Sequence, residues 1–102
     1  MNKKIKNNTL LFKLSSSGEF SNIEINNEIT NFIIDMQEVD IDQIEVIKKK
    51  LIKFDRSVYL KNGSFVIVCR HSFDKELNIV PTIQEAYDFI EMEEIERQLN
   101  DY

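Results

Sequence analysis

The chain has 102 residues, 42% of them hydrophobic, with ten Phe and Tyr, two glycines and one proline. That is enough for one core and one domain, too apolar for wholesale disorder and too poor in turn residues for a loop-rich sandwich. The formal charge of −5 is split: residues 1–75 carry 12 Lys/Arg against 10 Asp/Glu, and residues 76–102 one Arg against eight acids, a balance that repels nucleic-acid phosphate.

In chain order, residues 1–8 (MNKKIKNN) are basic and polar and are expected to be a flexible tail ahead of a domain at 9–102. The apolar run at residues 10–12 is too short for a signal-peptide core, and no run approaches the roughly 20 residues that span a bilayer. The one cysteine, Cys69, cannot form an internal disulfide. A cytoplasmic protein with no membrane partner is the expectation.

Residues 9–14 read as a first strand, 15–18 as a turn cluster and 20–26, with alternating apolar residues, as a half-buried second strand. Residues 31–36 (NFIIDM) are nearly continuous in apolar character and are expected at the centre of the sheet. A helix follows, with Asp40 or Asp42 as cap and Gln43 or Glu45 three positions on. Ile44, Ile47, Leu51 and Phe54 form its core-facing stripe, with Lys48, Lys49, Lys50 and Lys53 mostly on the other side.

Two readings stay open beyond Phe54. In one, Val58 continues the stripe and Asn62 and Gly63 close the helix near Lys61. In the other, residues 57–60 and 64–68 form a hairpin about that Asn-Gly pair. Either way residues 64–69 are a buried strand. A polar connection at 70–76 leads to a last strand at 77–80. There Pro81 turns a corner, and Thr82 with Glu85 forms a Thr-x-x-Glu box that opens a final helix to about Leu99. Ile83, Ala86, Tyr87 and Ile90 make its apolar stripe. Met92, Ile95 and Leu99 continue the stripe offset around the axis, so the last turns either wrap the domain or project towards a partner. The fold class is α/β: one small domain with a mixed sheet of four or five strands and two main helices.

Catalytic signatures are weak. A zinc site takes three or four ligands of the His, Cys and carboxylate type, and no such cluster is spaced here. Two isolated glycines build no phosphate loop. Cys69 and His71 would share a face if both lay on a strand, but a small buried Cys69 and a loop His71 are the simpler reading. Asp35, Glu38, Asp40 and Asp42 crowd a strand-to-helix mouth. Carboxylates so placed share a proton or bind a divalent cation, though capping and surface charge account for them as well. The Lys48–Lys53 patch with Arg56 lacks interleaved aromatics and reads as a solvated face. No cofactor or metal is expected. Glu91, Glu93, Glu94 and Glu96, offset only by Arg97, are either a solvated face or a docking surface for a basic partner.

Three segments resemble STAS domains, the fold of anti-sigma factor antagonists. Residues 31–39 (NFIIDMQEV) resemble the family's central strand, 63–68 (GSFVIV) the strand after its helix, and 77–86 (LNIVPTIQEA) its final strand and Pro-Thr-x-x-Glu-Ala helix start. The acidic tail at 90–99 (IEMEEIERQL) is similar to a bacterial subgroup, closest to small divergent STAS-like proteins often encoded beside ribonuclease Z. The resemblance covers residues 31–99 and favours the helix reading of residues 56–61. Where the family has Asp-Ser-Ser-Gly, this chain has Asp42, Gln43, Ile44 and Glu45, so no phosphorylatable serine stands there. Residues 26–30 leave no room for the helix usual before the central strand, and the helix usual before the last strand is cut to the 70–76 connection.

The resemblance implies a non-enzymatic protein-interaction or regulatory module. Its partner surface is expected at Asp40, Asp42, Gln43 and Glu45, where STAS domains meet their partners, with the acidic helix at Glu91, Glu93, Glu94 and Glu96 as the second surface. The alternative is an accessory subunit that docks through that helix on an enzyme such as a ribonuclease. The dizinc chemistry of ribonuclease Z itself needs several histidines, and this chain has one. A monomer or weak homodimer is expected.

Overall fold

The computed structural model describes residues 2–15 and 28–100, without the side chains of Asn2 and Asn100. The turn expected at 15–18 lies largely, and the strand expected at 20–26 wholly, outside the described residues. Five strands and two helices run in the order β1 (Asn2–Lys6), β2 (Thr9–Lys13), β3 (Asn31–Asp35), α1 (Ile41–Leu60), β4 (Phe65–Val68), β5 (Ile79–Val80) and α2 (Ile83–Asn100). They form one mixed sheet in spatial order β1-β2-β3-β4-β5, with β1 antiparallel to β2 and every later pair parallel.

Strand alternation sorts the core into two layers. Leu10, Phe12, Phe32, Ile34, Phe65 and Ile67 point to one face, where Ile44, Ile47, Leu51 and Val58 of α1 cover them. Ile33, Val66 and Val68 point to the other, against Ala86 and Ile90 of α2. Register lines up Phe32 with Phe65 and Ile34 with Ile67. The Phe54 ring meets Phe32 and Phe65 edge-on, at 5.0 and 5.1 Å between centroids. Covering both faces explains why β4, and β3 between Asn31 and Asp35, are apolar without interruption. Ile33 and Ile34 are both fully buried, as the central position of β3 requires.

The segment expected to be a tail is instead strand β1. Its own pattern gives no such signal, because Lys3, Lys4, Ile5 and Lys6 are all exposed. The free edge of β2 templates it through backbone pairing, and Asn7, at φ 56°, makes the tight turn that a short polar side chain tolerates. Lys3 sits 5.9 Å from the Phe12 ring centre and Lys6 5.4 Å from that of Tyr87. Lysines along this outer strand also discourage edge-to-edge pairing.

Residues 56–61 are resolved in favour of the helix. At its end Gly63 N–H donates to Val58 O and Asn62 N–H to Tyr59 O, both at 3.0 Å, with Asn62 left-handed at φ 62°. These two bonds satisfy carbonyls that the helix end would otherwise leave bare. Gly63 is required for a second reason: a Cβ there would lie 1.9 Å from the Thr30 carbonyl oxygen. Val58, the residue that continued the stripe, packs in the core.

Candidate partner-binding surfaces

Both helices start at the carboxyl ends of the parallel strands and run back to their amino ends. The sheet therefore has two distinct ends, a mouth where the helices begin and a cleft where they finish.

The mouth holds the first set of expected residues. Asp40 occupies the position before α1, but its side chain makes no capping bond. Its backbone carbonyl takes the N–H groups of Gln43 and Ile44 instead. The capping expected of the Asp40 carboxylate is thus corrected. Asp42 lies in the first turn, where an acid suits the positive end of the helix. Asp40, Asp42 and Glu45 are exposed and Gln43 is half-buried. The other acids of the mouth are occupied. Buried Asp35 accepts from Gln37 N–H at 3.0 Å and Gln37 Nε2 at 3.1 Å, and Glu38 pairs with Lys13 at 3.1 Å. Among the described residues no three His, Cys, Asp or Glu groups converge to hold a metal ion.

The second set divides. Glu91 and Glu96 are exposed, whereas Glu93 and Glu94 are half-buried and turn towards the body of the domain. Glu94 accepts from Asn8 Nδ2 at 3.2 Å. From Ala86 the stripe passes to Ile90 four residues on, then to Glu93 and Glu94 three and four beyond Ile90, and then to Arg97, so the sheet-facing side of α2 changes from apolar to charged along its length. Arg97 ends that stripe by donating to Ser64 Oγ at 2.9 Å and to Asn31 Oδ1 at 3.5 Å. Asn31 is fully buried, and its Oδ1 also takes Ser64 N–H at 3.0 Å, while its Nδ2 has no partner among the described residues. This network pins the last turns of α2 to the amino ends of β3 and β4.

With its charged stripe turned inward, α2 shows its offset apolar residues to solvent. Met92, Ile95 and Leu99 are 63%, 51% and 66% exposed. Between the finishing ends of α1 and α2 lies an open cleft of about 600 Å³, whose lining includes Asp55, Tyr59 and Ser64 together with Glu93, Glu96 and Arg97. Partial burial pushes the Asp55 carboxyl above its usual range. Glu93 and Glu76 add to that shift by repulsion, and Arg56 opposes it.

Asp55, Ser64 and Asn31 were not singled out by the sequence, and Arg97 entered only as the offset to the acidic helix. The signal for Arg97 is the charge that replaces apolar residues at core-facing helical spacing in α2; Asp55, Ser64 and Asn31 lie on other elements and carry none. Cys69 is buried and unpaired and His71 is exposed, both beyond the end of β4, so no shared strand aligns them. No helix among the described residues is long and apolar enough to cross a membrane.

No family model matches the chain, and no curated protein is significantly similar to it.

Proposed function

We propose that this chain is a non-enzymatic protein-interaction module of STAS type that works in the cytoplasm of a bacterium without a phosphorylatable serine. Its partner docks on the outward face of α2. The observation that carries this reading is the row Met92, Ile95 and Leu99, large apolar side chains in solvent at helical spacing and flanked by Glu91 and Glu96. Apolar groups rimmed by charge are the usual make-up of a protein contact.

The surrounding charge defines the partner. Pairing two copies through this face sets Glu91 and Glu96 of one against the same groups of the other, which opposes a homodimer. A basic amphipathic segment matches both the apolar row and its rim. The family reading draws support from the order central strand, helix, strand, last strand and final helix over residues 31–99 and from the Thr82 corner, where Thr82 Oγ1 accepts Glu85 N–H at 3.1 Å. Residues 39–46 contain no Ser, Thr or Tyr, so the turn into α1 offers no hydroxyl to a kinase. An accessory subunit of an enzyme would use the same α2 face, and the identity of the partner separates the two roles.

The test is quantitative capture from native extract with three baits. They are the wild type, a triple variant (Met92→Ser, Ile95→Ser, Leu99→Ser) and a mouth variant (Asp42→Lys, Glu45→Lys). The proposal expects the same partner on the wild type and the mouth variant and its loss from the triple variant. Retention by the triple variant and loss from the mouth variant would move the docking site to the opposite edge.

A further inference from the structure

We infer that copies of this chain associate head to tail through the two outer strands of the sheet. Strand β1 of one copy adds to the open side of β5 in the next, and its Lys4 and Lys6 meet an acid-rimmed apolar groove beside that strand. This goes beyond partner docking on the Met92, Ile95 and Leu99 row and does not depend on it.

The outer side of β5 is able to take a strand. β5 is the last strand of the sheet, and among the described residues nothing pairs with its outer side. Asn78 O accepts from Ile67 N–H at 2.8 Å and Val80 O from Cys69 N–H at 2.9 Å, so both carbonyls point inward. In a parallel ladder the residue between them turns its own N–H and C=O the other way, which sets those of Ile79 outward. Asn78, Ile79 and Val80 are half-buried and uncharged, so no charged side chain on the strand blocks an added one. Beside it lies a groove of about 380 Å³. Val80 and Phe89 contribute apolar lining, Glu85, Asp88, Glu93 and Glu96 supply the rim, and no basic residue takes part. A free strand flanked by a side-chain groove is the arrangement that receives an extended segment.

The other outer strand supplies the complement. β1 carries Lys3, Lys4 and Lys6, all exposed, and no acid. Register sorts its two faces. Lys4 lies opposite Leu11, which packs in the α2 layer, and Lys6 approaches the Tyr87 ring of α2. Ile5, 61% exposed, lies opposite Leu10 in the α1 layer. β5 is sorted in the same way, with Val80 in the α2 layer and Ile79 in the α1 layer. Setting two copies side by side so that the sheet continues makes β1 antiparallel to β5 and keeps each layer on its own face. Lys4 and Lys6 then face the acidic rim, and Ile5 lies beside Ile79, so both faces carry favourable cross-strand pairs. The same lysines oppose pairing of β1 with a second β1, which leaves an acid-rimmed strand as the one it fits. Because unlike surfaces join, the contact is heterologous and repeats from copy to copy, free of the like-charge opposition of a symmetric pair.

Sedimentation of the full chain over a concentration series tests this. At low salt the average mass of the wild type should rise past that of a dimer, and high salt should reverse the rise. Lys4→Glu with Lys6→Glu, and Glu85→Lys with Asp88→Lys, should each give a monomer, because each sets like charges face to face. Mixing the two variants, shown to be folded by circular dichroism, should restore association. Amide hydrogen exchange at Ile79 needs no variant, and it should slow as the wild type associates. A wild type that stays monomeric throughout, a reversed variant that associates as the wild type does, a mixture of folded variants that stays monomeric, or an Ile79 amide indifferent to association would overturn the proposal. Association lost with Met92→Ser, Ile95→Ser and Leu99→Ser but untouched by reversing the lysines would also overturn it, and would place the contact on the α2 row.

Discussion

The two edges of the sheet treat their charges in opposite ways. At the mouth, Asp35 is tied to Gln37 and Glu38 to Lys13, and the acids left over are scattered in solvent. At the cleft, one guanidinium is drawn into a buried network while Asp55, Glu93 and Glu96 stand without ion pairs among the described residues. Crowded acids in a sequence are therefore a poor guide to a site. What matters is whether the fold neutralises them, and that is decided by helices that meet only in three dimensions.

The predictions sharpen this contrast, starting with the largest effect. Gly63→Ala, at the cleft edge, forces a methyl group into the Thr30 carbonyl. No flexible side chain can yield there, so the cost belongs at the upper end of overpacking penalties, about 3 kcal/mol. At about 4–8 °C per kcal/mol, a thermal melt should show a loss of at least about 12 °C. A near-native melting temperature would mean that the α1 exit does not pass so close to β3.

Arg97→Met keeps the stem but removes both donated bonds. The expected loss is about 1.5–3 kcal/mol, typical of a hydrogen bond to a charged group. Faster amide hydrogen exchange should follow in the last two turns of α2. Unchanged exchange would show that those turns are held by something other than the Ser64 and Asn31 contacts.

Thr82→Ala, at the mouth edge, removes the oxygen that receives Glu85 N–H and should cost about 1 kcal/mol. An unaltered melting curve would place the start of α2 elsewhere.

The smallest effects differ in sign between the edges. Glu38→Gln breaks an exposed pair with Lys13 and should cost at most about 1 kcal/mol, less as salt is raised. Asp55→Asn should instead stabilise the protein at neutral pH. Burial and the neighbouring Glu93 raise the folded carboxyl above its unfolded value of about 3.9. The folded state thus holds this proton more tightly than the unfolded state, and at neutral pH it bears the repulsion in full. As pH falls through the folded pKa, the wild type regains that stability, and the advantage of the Asn variant disappears below about 3.9. Paired pH–stability profiles check this, and a variant less stable at neutral pH would contradict it.

The parts of the fold that were legible in the sequence are those set by local pattern. Ile44, Ile47 and Leu51 repeat at helical spacing and do face the sheet, residues 31–36 are central because both of their faces are apolar, and Thr82 caps as its spacing implies. Strand β1 was illegible because the β2 edge, rather than its own side chains, makes it a strand. The cleft was illegible because Asp55 and Glu93 lie far apart in the chain and on different faces of the sheet. Of the expected site residues, Glu93 and Glu96 line the cleft and Glu91 joins the outward rim, while Glu94 is taken up by Asn8.

The central claim is that a basic partner meets the protein at α2 and not at the mouth. Site-specific photo-cross-linking in the native cell tests it whatever the partner's identity, with the photoreactive group placed at Ile95 in one strain and at Asp42 in another. The expected result is a discrete adduct from position 95 that is lost when Glu91, Glu93 and Glu96 are changed to lysine, and none of the same mass from position 42. An adduct that forms only from position 42, or one from position 95 that survives charge reversal, would contradict it.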